Sequence, residues 1–491
     1  MKNMPTNKHL KISTLVWLLL FLTRAHLAVS AGEAPWDLGY LLDEDPGAVT
    51  AGELYERAVF VEENYQAYHS VNGIIWQGVF AGPEDTHPSL FGTGGDSAIF
   101  TGFYLAAAVY RFLVTRDEAD LDIVFQTVRG LHILTHVSGT PGVIARCAFP
   151  ADQAAAWRYP DRWKSRINAG LVYESPDDIV DAGDPDRYYP RFIFYAKATR
   201  DQLSGILYGL AVVLAELQPD DFQEKDQLYR TIQSVRDVTR QIAYALWTRL
   251  EENCFVLMDH YYNTGTTSVL VDGLLKVQLL SVYRAALNMF EDPGTAERSR
   301  IEEVYHDEFA WAFFLNDGNL DSLFNWLNLF DGYYANNLRF ARSFTVFLLE
   351  EDTGRRQQVA AYMTKHVWRY VQDHRNTHFI FLYAAASCDQ SRLGEGLLGL
   401  QELSLRPLRN WSSPLYDQSF YPPPDVLLFG DVTGYVVPVH LREPTDYFIW
   451  QKDPFETGDG ELEQEALKEA TGLDFLLPYW MGRYYGFVDA P

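Results

Sequence analysis

The chain has 491 residues and carries 66 Asp and Glu against 40 Lys and Arg, a formal net charge of −26 at pH 7. So acidic a protein is repelled by nucleic acid and by anionic membrane surfaces, which excludes both as expected partners. Its three cysteines, Cys147, Cys254 and Cys388, are too few for a disulfide framework and match no zinc spacing, so they read as core cysteines with at most one bridge. Aromatic residues make up 15% of the chain, enough either for a large aromatic core or for a cleft whose rings stack on sugars.

Residues 1–31 read as a secretory signal. Lys2, Lys8 and Lys11 precede the apolar run 15–22, and Ala28-Val29-Ser30-Ala31 offers small residues for cleavage after Ala31. An uncleaved anchor is the alternative, but the run is short for a membrane span. Losing Lys2, Lys8, Lys11 and Arg24 would take the formal charge from −26 to −30. No later segment reads as a bilayer span, so the expected destination is secreted or periplasmic, with 32–491 as one domain.

Residues 32–47 look extended, and a helix is expected over 51–69 with Leu54, Ala58, Val61 and Tyr65 on one face. A Gly-, Pro- and Trp-rich loop leads into 93–147. There Gly94, Gly95 and Asp96 open a helix apolar on nearly every side (Phe100, Phe103, Leu105, Tyr110), the mark of a buried helix. After Thr115-Arg116-Asp117 comes a one-faced stripe, Leu121, Val124, Val128, Leu131 and Leu134, the mark of a surface helix. The unit is a hairpin with one inner and one outer member.

That unit recurs. Inner helices are expected to open at Asp201, Asp272, Asp331, Asn376-Thr377-His378 and Gly472-Leu473-Asp474, each but the last followed by an outer stripe. Two excursions interrupt the pattern. Residues 148–196 read as irregular, with the dense mixture Trp157, Arg158, Tyr159, Arg162, Trp163, Lys164 and Arg166. Residues 405–457 are Pro-rich with strand-like pieces at 426–429 and 434–439, then Asp446, Trp450 and Gln451 as candidate ligand contacts or as a packed cover.

With the last inner helix pairing with helix 51–69, the recurrence is all-α and resembles the (α/α)6 toroid of six helical hairpins. That fold is shared by many glycosidases, including unsaturated glucuronyl hydrolases, and by several polysaccharide lyases and epimerases. The resemblance lies in architecture, with no diagnostic motif. It implies that inner-helix N-termini crowd one rim, which would gather Asp96, Asp201, Asp272, Asp331, His378 and Asp474. Aspartate is also a favoured N-cap, and capping alone would account for such positions. Two sites carry more than a cap. Asp96 lies in G-G-D-S-x-x-x-T-G and Asp201 in T-R-D-Q-x-S-G, where Thr101, Gly102, Ser204 and Gly205 would thin the inner face for a ligand.

The expected function is hydrolysis of a glycosidic bond by an aspartate pair, Asp96 and Asp201, since that reaction needs one acid and one carboxylate. Asp201 is the expected acid, because Tyr195 and Tyr208 could exclude water there. Trp157, Arg158, Arg162, Trp163, Arg200, Asp272, Asp331, His378 and Trp450 are candidate substrate contacts, and the basic ones suit a uronate carboxylate. Alternatives are a lyase or epimerase with Tyr195, Tyr208 or His378 as base, or a glycan-binding scaffold without catalysis. No cofactor or metal is expected: Asp177, Asp178, Asp181, Asp184 and Asp186 lack calcium-loop spacing, and His374 and His378 lack a third ligand. Asn410-Trp411-Ser412 is a glycosylation sequon.

Overall fold

A computed structural model describes residues 46–82, 85–92, 95–157, 172–258, 265–268, 273–290, 294–317, 333–408, 425–426, 432–433, 436–442, 448–454 and 467–491. The expected signal segment, Asp272, Asp331, the basic stretch 158–171, Asp446 and the sequon lie outside them.

The protein is mostly helical, with a few short sheets. In chain order the helices are α1 (Ala51–Tyr68), α2 (Ser97–Thr115), α3 (Glu118–His136), α4 (Arg200–Glu216), α5 (Asp226–Glu252) and α6 (Gly273–Leu287). Then come α7 (Ala296–Asp317), α8 (Tyr334–Leu349), α9 (Thr353–Tyr362), α10 (Thr377–Ser387), α11 (Leu393–Ser404) and α12 (Leu473–Tyr484). Local chemistry sets their limits. Thr50 and Glu53 form a reciprocal cap at α1, with Thr50 N–H donating to Glu53 at 2.7 Å and Glu53 N–H to Thr50 Oγ1 at 3.2 Å. Arg116, left-handed at φ 58°, ends α2, and Asp117 caps α3 through Ala119 N–H at 3.0 Å.

Helices α2, α4, α8 and α10 are buried on nearly every side. Each of α2, α4, α6, α8 and α10 packs on the helix that follows it. The last helix returns to the first: α12 packs on α1, where the Tyr55 ring meets Trp480 edge-on at 6.3 Å. Helix α12 also packs on α2, which packs on α4. Helix α4 reaches α8 directly as well as α6, and α8 leads through α10 back to α12.

Helices α2 and α4 are parallel and touch through backbone. A Cβ on Gly102 would lie 2.0 Å from the Gly205 oxygen, and one on Gly205 would lie 2.2 Å from the Ile99 oxygen. Gly102 and Gly205 thus let two helices meet. They do not thin a wall for a ligand, as their pattern had suggested. At the C-terminal ends, the Tyr484 and Tyr485 hydroxyls of the α12 region donate to Glu216 of α4 at 2.7 and 2.9 Å. The Tyr110 ring of α2 lies 5.2 Å from Tyr484. These contacts make α2, α4 and α12 parallel, with their N-termini at one common end.

Ser97–Thr115 is also long and apolar enough to cross a membrane, contrary to the expectation that no later segment would be; it is buried inside the protein. The excursion 148–196 is likewise more regular than expected. Cys147–Pro150, Phe192–Tyr195 and Val172–Glu174 form a three-stranded antiparallel sheet, and Val180–Asp181 pairs with Asp184–Tyr188. Connections from inner to outer helices are short, as at 116–117 and 350–352. Those from outer to inner helices are long, as at 137–199 and 405–472.

Candidate functional site at the N-terminal ends of the inner helices

Strand Phe192–Tyr195 and the start of α2 together hold Arg146. Its N–H donates to the Tyr195 oxygen at 2.8 Å, and its own carbonyl accepts Ala98 N–H at 2.9 Å. The latter is one of the first-turn amides that a helix leaves open. From there the guanidinium reaches the Gly95 oxygen at 2.6 Å and Asp96 Oδ1 at 2.7 Å.

Asp96 occupies the N-cap position of α2 but makes no capping bond through its side chain. Its carboxylate instead pairs with Arg146 and accepts Gln202 Nε2 at 3.2 Å. Gln202 is itself fixed, its Oε1 accepting Thr199 N–H at 2.8 Å and Thr199 Oγ1 at 2.7 Å. Thr199, not Asp201, therefore caps α4, and the Asp201 carboxyl is released from that duty. Burial pushes the Asp201 pKa up, Arg342 pulls it down, and the Asp96 charge pushes it up again. The two aspartates thus share one electrostatic environment and are both half-buried: the Asp96 side chain is 47% exposed and paired with Arg146, whereas desolvation raises the Asp201 pKa.

Helices α6 and α8 add to the cluster. Ser204 Oγ accepts Arg342 Nε at 2.9 Å and Gln278 Nε2 at 3.1 Å, and Gln278 Nε2 also donates to the Arg200 carbonyl at 2.9 Å. Arg200 opens α4, and its charge also acts on Asp201.

Below this polar end lies an aromatic floor. Phe103 sits 5.0 Å from Tyr208, Tyr208 sits 6.1 Å from Phe344, and the Phe448 ring stacks on Phe103 at 5.3 Å. Asp96, Asp201 and Asn337 each precede one of these rings, Phe103, Tyr208 and Phe344, by seven residues. Seven residues are about two helical turns, so each polar group stands above a ring on the same helix face.

The other sequence candidates fall elsewhere. His378 lies in the floor, fully buried, with Phe103, Tyr208 and Phe448 within about 6.3 Å, and burial pushes its pKa down to about 3. Trp157 is a core residue 3% exposed, 5.4 Å from the Trp76 ring, and does not border a rim. Trp450 is also core: its indole donates to the Asp474 oxygen at 2.6 Å, and its own oxygen accepts Asn376 Nδ2 at 2.9 Å. Asp474 is buried, which pushes its pKa up to about 6 against the pull of Arg406. The 448–451 turn thus covers the starts of α10 and α12, and the polar cluster gathers over α2, α4, α6 and α8. Asp181 of the acidic loop pairs with Arg129 through Arg129 Nε at 3.0 Å.

Arg146, Gln202, Gln278, Asn337, Arg342 and Phe448 were not foreseen. Gln202 was signalled by its spacing from Thr199, and Asn337 by the shared seven-residue offset to an aromatic. Among the described residues no group of three His, Cys, Asp or Glu is placed to hold a metal ion. Comparison with family models, curated proteins and solved structures returned no match to this chain.

Proposed function

We propose that this protein is a secreted carbohydrate-active enzyme, built as an (α/α)6 toroid of six helical hairpins, that hydrolyses a glycosidic bond with Asp96 and Asp201. The observation that carries the reading is the unequal pair: two half-buried carboxyls at the starts of adjacent parallel helices, one paired with Arg146, the other with its pKa raised by desolvation. Glycosidic cleavage needs that inequality, because the acid must keep its proton until it passes to the leaving oxygen.

Asp201, with its pKa raised, is the acid that protonates the leaving oxygen. Asp96, held by Arg146 and Gln202, is the carboxylate that takes the proton from water or attacks the anomeric carbon. The order of helices, with α12 returning to α1 and each inner helix backed by an outer one, supports the toroid. A leader at 1–31 would deliver the enzyme out of the cytoplasm. A lyase or epimerase using Tyr208 or His378 as base fits less well, because both lie in the dry aromatic floor.

The test is Asp96→Asn and Asp201→Asn, assayed on a panel of oligosaccharides the parent protein cleaves. Turnover is expected to fall by roughly 10³-fold or more in each, with folding retained. Full turnover in both variants would move the active site elsewhere.

A further inference from the structure

Three inner helices that follow one another in the chain each carry a buried polar side chain with unmet hydrogen-bonding capacity. On α6 it is Gln278 Oε1, on α8 both amide atoms of Asn337, and on α10 both ring nitrogens of His378. All three residues are at most 1% exposed. The orientation of Gln278 is fixed by chemistry: the atom facing the Arg200 carbonyl must be the amide nitrogen, so the oxygen is the atom left open.

Leaving a buried donor or acceptor unmet costs about 1–3 kcal/mol for each group. Gln278 bonds Ser204 and the Arg200 carbonyl, His378 lies beside the Phe103 and Tyr208 rings, and Asn337 precedes Phe344 by about two helical turns. Such a cost on three neighbouring elements points to a partner that arrives from outside. The open groups also specify that partner. None is charged, since burial keeps His378 neutral. They comprise acceptors needing a donor (Gln278 Oε1 and one His378 nitrogen), donors needing an acceptor, and in Asn337 one of each. A group that both donates and accepts satisfies such a set, as a buried water does and as the hydroxyls of a sugar ring do. By contrast, the Arg146 and Arg342 guanidiniums are already turned to Asp96, Gly95 and Ser204.

We propose that Asn337, Gln278 and His378 are the specificity residues of the site and read the hydroxyl groups of a neutral sugar ring seated above the Phe103 and Tyr208 rings. The inference rests on the glycosidase reading and deepens it. The open groups are shielded from water in the free protein, so the ring enters by displacing side chains that now cover them.

Asn337→Leu keeps the branched side-chain skeleton and removes the open amide, and His378→Phe keeps a ring and removes the open nitrogens. Both are measured two ways: thermal unfolding of the free protein, and calorimetric binding of cello-, xylo-, manno- and malto-pentaose and of oligogalacturonate, in the Asp201→Asn background so that nothing is cleaved. Each variant is expected to unfold at a higher temperature than its parent, and to bind the neutral oligosaccharide about ten- to a hundredfold more weakly. A lower unfolding temperature in both variants would make these groups structural and overturn the inference. Unchanged affinity in both, or selective binding of oligogalacturonate by the parent, would overturn it while leaving the glycosidase reading in place. A parent that binds none of the five would overturn that reading and the inference together.

Discussion

The indole nitrogen of Trp450 donates at 2.6 Å to the main-chain oxygen of Asp474, the oxygen that Pro478 leaves without its helical partner. A proline four residues on has no N–H to offer, and an indole from a distant turn fills the vacancy. The bond ties the 448–451 turn to α12. Trp450→Phe should cost about 1–3 kcal/mol, read by denaturant unfolding, by leaving that oxygen unmet and loosening the turn. In a Pro478→Ala background the helix can supply its own donor, and the same substitution should cost measurably less. Equal cost in both backgrounds would show that the indole contributes only by packing.

The contact between α2 and α4 leaves no room for a methyl group. Gly205→Ala should destabilise by about 1–3 kcal/mol or more, because the added carbon meets the Ile99 oxygen and both helices must part. Gly394→Ala on α11, where nothing lies within 4 Å, is the control and should be neutral or slightly stabilising. A harmless Gly205→Ala would mean that the helices sit farther apart.

Arg111 holds two buried carboxylates at once, Glu62 of α1 at 3.3 Å and Asp120 of α3 at 2.8 Å, while Tyr104 donates to Glu62. Arg111→Met should therefore cost about 3–5 kcal/mol, since it strands two acidic groups in the interior. Adding Glu62→Gln and Asp120→Asn to that variant should recover a large part of the loss. If it recovers none, the arginine stem matters and its charge does not.

His132 and His136 stack at 3.9 Å on α3, and burial pushes their pKa values down to about 3 and about 4. Their neutral forms contribute stability that is present above pH ~6.5 and lost as pH falls through the folded values. Unfolding free energy should drop between pH 7 and pH 4, and the drop should shrink in His132→Gln/His136→Gln. Asp474 acts in the opposite sense. With its pKa raised to about 6, its contribution is present at low pH and lost as pH rises through that value. Asp474→Asn should steepen the acid loss, and a shallower one would contradict its burial.

Much of the helical order was legible because apolar periodicity reports burial directly. The inner helices α2, α4, α6, α8, α10 and α12 open within a few residues of the expected positions, whereas α9 spans Thr353–Tyr362 and gives way to irregular turns beyond it. The aspartates were legible as helix openers, but the groups that hold them were not. The pattern around Asp201 signals more than a cap, but the closing of α4 by Thr199 and Gln202 around themselves was not legible. Small residues at 102 and 205 signal close approach without saying what approaches, so a ligand and a neighbouring helix look alike in sequence. Trp157 was misplaced for a related reason, and Trp450 took the second reading offered for its stretch, a packed cover. A tryptophan in a Pro-rich stretch looks exposed until its partners, Trp76 and the Asp474 oxygen, are known, and those contacts are not local.

Of the three cysteines expected in the core, only Cys147 is buried; the other two thiols, Cys254 and Cys388, are exposed and stand at opposite ends of the helical stack. Cys388 closes α10 in a short turn on the side away from Asp96, whereas Cys254 follows α5 on the side of the long connections. The protein therefore comes with a built-in pair of chemical handles. Tethered to a support through Cys388, with Cys254 replaced by Ser, it would present the Asp96 face outward to the solution; tethered through Cys254 with Cys388 replaced, it would turn that face toward the support.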